Sequence, residues 1–180
     1  MPLAVLHILL PLVIMSLFKD IYEGKKKKRF FSLHYVLIAG LAGLLPDLDI
    51  VVFWGLHFLG YTISEVHRTF THNIFIPLAF LLMFFVFQNV RMKKLGRHKL
   101  RLNVIFLMIA LGYIVHLALD ALFIGLIMPF YPVSFFEFGL NLINLLPYPL
   151  NEIFIPSLDA ILFFLWLIWL ELKHKISDFI

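Results

Sequence analysis

The sequence predicts an all-α membrane bundle of about five transmembrane helices, and three observations carry that prediction. Apolar residues make up 62% of the 180 residues and charged residues only 14%, with a mean hydropathy of +0.98. A water-soluble fold of that composition would lack the polar surface to cover itself. The apolar residues also fall in runs of the length that crosses a hydrocarbon core as helix. Fourteen of the fifteen Lys and Arg residues lie in three clusters between those runs: six in residues 19–29, six in residues 91–101, and Lys173 with Lys175.

If basic clusters mark the cytoplasmic side of a membrane, all three share one face. One span then precedes the first cluster, two separate the first from the second, and two separate the second from the third. The N-terminus is expected outside. The length suits one membrane-embedded domain over residues 1–180. A pI near 9.4 comes from juxtamembrane residues and not from a basic face interleaved with exposed aromatics. Anionic lipid headgroups are therefore the expected partners of the basic loops, and nucleic acid is not. Cys is absent, which excludes disulfides and thiol chemistry.

The elements follow in order. Residues 3–18 form the first span, bent at Pro11 and read as retained because no basic n-region or small-residue cleavage site accompanies them. Residues 33–45 begin the second, which Pro46 breaks in Pro46-Asp47-Leu48-Asp49 before residues 50–59 continue it. Broken helices are tolerated in membranes only where protein or a water-filled cavity satisfies the freed backbone. Residues 60–70 connect to the third span, 72–90, and the fourth is 102–128. Pro129, Pro132, Pro147, Pro149 and Pro156 then punctuate an apolar stretch expected to form short interfacial helices. Residues 158–172 close the bundle as the fifth span.

On this topology the ionisable residues inside the apolar segments converge on the extracytoplasmic side. They are His7, Asp47, Asp49, His67, His72, His116 and Asp120. Lys and Arg alone set the topology, so the agreement is an independent check. Such groups are expensive in a span and mark a function. His116 and Asp120, one turn apart, project from one helix face and can grip a single ion. His67 and His72 cannot share a helical face, but a loop-to-helix turn can aim both inward. Asp47 and Asp49 follow a proline, where irregular backbone can present one carboxylate to a metal and the other to a supporting His or a second ion. Imidazole and carboxylate without thiolate suit Zn, Mn or Fe better than Mg. His34, His57, His98 and His174 read as structural or solvated.

The strings Leu45-Pro46-Asp47-Leu48-Asp49, His67-Arg68-Thr69-Phe70-Thr71-His72 and Gly112-Tyr113-Ile114-Val115-His116-Leu117-Ala118-Leu119-Asp120, with His7 before them, resemble the membrane-bound metal-dependent hydrolase family. That family includes proteins described as LexA-binding inner-membrane hydrolases, and it is distantly similar to the soluble zinc-dependent phospholipases C. The resemblance implies that His7, Asp47, His72, His116 and Asp120 are ligands, with Asp120 a bridge between ions. No His follows His116 before His174, so one or two ions are implied and not three. Thr69 and Asn73 stand where the family pattern has Gly and Ser.

The expected function is a membrane-embedded metal-dependent hydrolase, phospholipase C-like, that cleaves a phosphoester of a lipid at the outer leaflet. His7, Asp47, His67, His72, His116 and Asp120 are the expected metal site, most simply for Zn. Arg68, the only basic residue on the outer face, is the expected substrate clamp, and Asp49 or Glu65 the expected base. A metal or proton transporter, and a scaffold acting through its basic loops, are the alternatives. The short loops limit the second, and the lack of polar groups in the inner halves of the spans, His34 apart, weighs against the first.

Overall fold

The apolar runs fold into seven α-helices in a computed structural model that describes residues 4–26, 32–67, 69–89 and 100–174. They are α1 (Ala4–Lys26), α2 (Leu33–Ala42), α3 (Asp49–His57), α4 (Ile63–Val66), α5 (Phe75–Val86), α6 (Leu102–Leu119) and α7 (Leu150–His174). A 3-10 turn, Pro46–Leu48, joins α2 to α3, and a π-helical turn, Asp120–Ile124, prolongs α6. Among the described residues there is no strand, and an isolated antiparallel bridge pairs Ile127 with Phe138.

Five spans are predicted; three helices, α1, α6 with its π turn, and α7, are long and apolar enough to cross a membrane. A fourth is reached if α2 and the stretch from Pro46 to His57, which bend by 48° at their junction, count as one broken span. α5 is shorter than expected. Its 12 residues reach about 18 Å at about 1.5 Å per residue, short of a core of about 30 Å. At its start the reason is local, because Asn73 caps the helix late: its side-chain oxygen accepts from the backbone N–H groups of Phe75 and Ile76 at 3.0 and 3.2 Å, while at the other end residues 87–89 leave the helix as a turn. Between α6 and α7 the expected short helices reduce to one 3-10 turn, Leu142–Leu145, because closely spaced prolines remove helix donors. Pro156, by contrast, is accommodated inside α7, which therefore starts before the predicted boundary.

Side-chain contacts fix the directions of the helices. The backbone N–H of Arg101 donates to the Tyr35 hydroxyl at 2.7 Å, so α2 and α6 start side by side and run in parallel. Lys173 Nζ lies 3.7 Å from Asp20 Oδ2, which sets the end of α7 beside the end of α1. Arg101 and Lys173 therefore lie at one end of the bundle, and the break at Pro46, the start of α5 and the end of α6 gather at the other. Leu9, Leu12, Met15, Tyr35, Val36, Ala39 and Met108 fill the core between α1, α2 and α6. Lipid tails are as apolar as these side chains, so close packing and not water exclusion holds such helices together. The closeness is visible at Gly112, where an added Cβ would stand 2.2 Å from the Ala39 carbonyl oxygen.

Candidate metal centre

Helix ends and turns at the broken end of the bundle contribute the polar side chains of the site. His7 comes from the first turns of α1, Asp47 from the 3-10 turn that Pro46 initiates, and Asp49 from the first position of α3. His72 comes from the turn before α5, and His116 and Asp120 from one face of the last turn of α6. Asp120 opens the π turn, an irregularity that frequently marks functional sites. Gly125 ends that turn at φ 155°, a conformation that side chains rarely adopt.

Four atoms form a node. His116 Nε2 lies 3.2 Å from His72 Nε2 and 3.6 Å from Asp120 Oδ2. His72 Nε2 lies 3.3 Å from that same oxygen, and Asp47 Oδ1 lies 3.7 Å from each of the two nitrogens. Ligands about 2.0–2.2 Å from a tetrahedral ion stand about 3.3–3.5 Å from one another. The three separations among His72, His116 and Asp120 lie near that figure, and these three residues form one group able to hold an ion, which Asp47 borders at 3.7 Å.

The surrounding hydrogen bonds aim lone pairs at the node. His116 Nδ1 donates to the Gly43 carbonyl at 2.6 Å, which leaves Nε2 as the bare nitrogen. The Thr71 hydroxyl donates to Asp49 Oδ2 at 2.9 Å and accepts from His72 Nδ1 at 3.0 Å, so His72 also turns a bare Nε2 inward. Two lone pairs and two carboxylate oxygens at these distances repel one another unless a metal ion or a proton sits among them. The rings of His72 and His116 are fully buried and Asp120 nearly so, which leaves little water to relieve the repulsion. Tyr113 on α6 donates its hydroxyl to the Thr71 carbonyl and ties this turn in place.

His7 extends the cluster. It is buried, yet neither ring nitrogen has a hydrogen-bond partner. Nε2 lies 3.3 Å from Asp120 Oδ1, Nδ1 lies 3.6 Å from Asp47 Oδ2, and the ring centroid is 3.9 Å from that of His116. Each of the two carboxylates thus turns one oxygen to His72 and His116 and the other to His7. Three overlapping groups could hold a metal ion: His7 with Asp47 and His116, Asp47 with His67 and His72, and His72 with His116 and Asp120.

Of the residues that the sequence predicts for the site, His7, Asp47, His72, His116 and Asp120 come together here. His67 stands beside the node: its Nδ1 is 3.0 Å from Asp49 Oδ1 and its ring meets that of His72 edge-on at 5.1 Å. Asp49 supports His67 and Thr71 rather than facing the node. Glu65 lies on α4, but its side chain is outside the described residues, as are Arg68 and His98 entirely. His34 lies at the far end of α2 with its Nδ1 2.9 Å from Ser32 Oγ, and His57 packs near Phe53 at the end of α3. Sequence reasoning missed Thr71, Tyr113 and the Gly43 carbonyl, all of which orient ligands. Thr71 adjoins His72 and could have been found; the other two depend on how α2 and α6 pack.

Fold and site together define a helical membrane protein with a buried His and Asp cluster able to hold a metal ion. A family model described as YdjM inner membrane protein matches residues 1–176, and the chain belongs to that family. The description names a membrane protein and no activity. No curated protein and no solved structure matches the chain.

Proposed function

We propose that this protein is a membrane-embedded metal-dependent hydrolase that cleaves a phosphoester of a lipid. The observation that carries the reading is the node of two imidazole nitrogens and two carboxylate oxygens with five separations of 3.2–3.7 Å. Its donor set suits zinc first, with manganese and iron as alternatives, and the bridging carboxylates leave a place for a second ion beside His7. A divalent cation there supplies Lewis acidity toward phosphoryl oxygens and lowers the pKa of a bound water.

The protein's own groups do the rest. Gly43, Thr71 and Asp49 hold His116 and His72 with their bare nitrogens toward the node. Both Asp49 oxygens are engaged by His67 and Thr71, so Asp49 is an orienting group. His67, a carboxylate-backed imidazole next to the node, is then placed to move protons, and Glu65 shares that role in the proposal. Arg68, adjacent to His67 in sequence, is the anion clamp: a guanidinium beside metal ligands repels the ion and makes sense where a phosphate must also be held. Lipid arriving laterally from the bilayer accounts for a hydrolytic site on the ends of membrane helices. Behind the site Leu9, Leu12, Met15, Val36, Ala39 and Met108 form an apolar layer, and the buried polar groups Ser16 and Lys19 lie beyond it on α1, an arrangement that favours hydrolysis over a continuous polar path for transport.

The test uses purified full-length protein with its metal content verified by elemental analysis. Arg68→Ala should keep the metal and lower release of phosphate-bearing headgroups from phospholipid vesicles by on the order of a hundredfold, the size of one lost charge-stabilising contact. Arg68→Lys should recover part of it. Absence of stoichiometric metal in the parent chain, or unchanged turnover in Arg68→Ala, would overturn the assignment or its anion clamp respectively.

A further inference from the structure

The chain between the π turn of α6 and the start of α7 at Leu150 is apolar, and Glu137 is its one charged residue. Its side chains face outward: Val133, Phe135, Leu145 and Tyr148 are 72–80% exposed. Its backbone forms turns, the Ile127–Phe138 bridge and the 3-10 turn Leu142–Leu145, and no α-helix. Irregular backbone does not face lipid within the hydrocarbon region, where nothing satisfies its amide groups, and an exposed apolar patch of this extent in water marks an interaction surface. The membrane interface suits both features, because water reaches the backbone there while the side chains enter the acyl boundary. Position agrees: α6 with its π turn and α7 are each long and apolar enough to cross a membrane, so the segment is held at the membrane surface from both ends.

This segment is tied to the metal centre on two sides. The Leu140 N–H donates to the carbonyl of Ala121, next to Asp120, at 2.7 Å, and the N–H of Ile74, two residues after His72, donates to the Pro129 carbonyl at 2.9 Å. Aromatic side chains continue the link. Phe70, exposed on the turn between His67 and His72, meets the Tyr131 ring edge-on at 5.1 Å, and Tyr131 meets Phe135 in the same manner at 5.8 Å. Three rings thus run from the ligand-bearing turn out to the exposed segment. Aromatic rings offer large apolar area, and the Tyr hydroxyl suits the wet side of an interface.

We propose that residues 126–148 form an interfacial platform on the leaflet at the metal-centre end, and that Phe70, Tyr131 and Phe135 are the wall on which the hydrocarbon chain of a lipid substrate rests. The wall selects long-chain lipids of that leaflet over short-chain phosphoesters in solution. It rests on the lipid-hydrolase reading above, whereas the platform rests on the exposure and backbone of the segment itself.

The chain has no cysteine, so each single-cysteine variant carries one nitroxide label. In F135C and L145C, labelled in the full-length protein in phospholipid nanodiscs, the nitroxide should collide more often with oxygen, which partitions into lipid, than with a water-soluble nickel chelate. The reverse preference would place the segment in water, and protection from both would place it against a protein surface such as a second copy. Either result overturns the platform. The wall is read by kinetics on protein with verified metal. F70A and F135A should each lower the preference for dioleoyl over dihexanoyl phospholipids of matched headgroup, taken as a ratio of kcat/KM, by about tenfold, the size of one lost aromatic contact with a chain. F70L should recover part of it. Equal losses on both substrates, or an unchanged preference, overturn the wall. Should F70A shed its metal, F135A, on the exposed segment, decides alone. A parent chain that holds no metal or cleaves neither substrate overturns the hydrolase reading and the wall with it, while the nitroxide result still judges the platform.

Discussion

At one end of the bundle α1 and α2 approach so closely that a Cβ on Gly43 would stand 2.0 Å from the His7 carbonyl oxygen. Toward the other end α1, α2 and α7 leave a cavity of about 240 Å³ lined by groups such as Leu12, Leu33 and Trp166, and α1 and α7 leave one of about 190 Å³ lined by groups such as Leu17, Leu165 and Trp169. The same helices build both. At the tight end buried imidazoles and carboxylates must keep separations near 3.5 Å, and an error of a few tenths of an ångström would undo the arrangement. At the loose end nothing polar has to meet, apart from anchoring contacts such as Arg101 with Tyr35 and Lys173 with Asp20. Precision matters most where charge is buried, because lipid can fill an apolar gap at little cost and cannot satisfy a displaced carboxylate.

The contrast breaks most decisively on metal content. His116→Ala and Asp120→Ala each remove a node atom and strand the charge left behind, so each should abolish stoichiometric metal in purified protein. His34→Ala, at the loose end, should leave the metal complement untouched, as elemental analysis would show. Because every imidazole must shed its proton to bind, affinity in the parent should also fall as pH drops below the ordinary His range. Retention of full metal by the His116 and Asp120 variants would mean that the polar end is structural.

A second comparison sharpens the packing claim. Gly43→Ala forces α1 away from α2 and moves both His7 and the carbonyl that orients His116, so it should destabilise by about 1–3 kcal/mol and weaken zinc binding as well. Ser16→Val adds bulk beside both cavities and should change stability by less than about 1 kcal/mol. Thermal unfolding in micelles reads both. Equal costs at the two positions would contradict the difference in packing.

Much of the site was legible because it rests on short-range rules. Pro46 marks the break that presents Asp47 and Asp49, helical spacing pairs His116 with Asp120, and the charge clusters predict that all of these share one end. Roles were less legible than positions. Asp49 reads as a base in the sequence, yet Thr71 and His67 take up its oxygens, and only the approach of α3 to the turn before α5 makes that so. Helix lengths were less legible, because caps and turns decide them: Asn73 delays the start of α5, and Pro156 fails to stop α7.

The smallest expected effect concerns the ion pair between Lys173 and Asp20 at the loose end. Its 3.7 Å separation invites a comparison with the His and Asp contacts of the node, which are scarcely shorter. Surroundings separate them: the Lys173 side chain is 58% exposed, whereas those of His72 and Asp120 are 0% and 3% exposed. Water and salt screen an exposed pair, and ordering a long lysine side chain offsets much of the remaining attraction. Lys173→Ala should therefore shift stability by no more than about 0.5 kcal/mol, and added salt should erase even that. Metal content should not change. A loss of several degrees in the unfolding midpoint, persisting in high salt, would show that α7 is held to α1 by this contact, and the view of the basic end as loosely built would have to be given up.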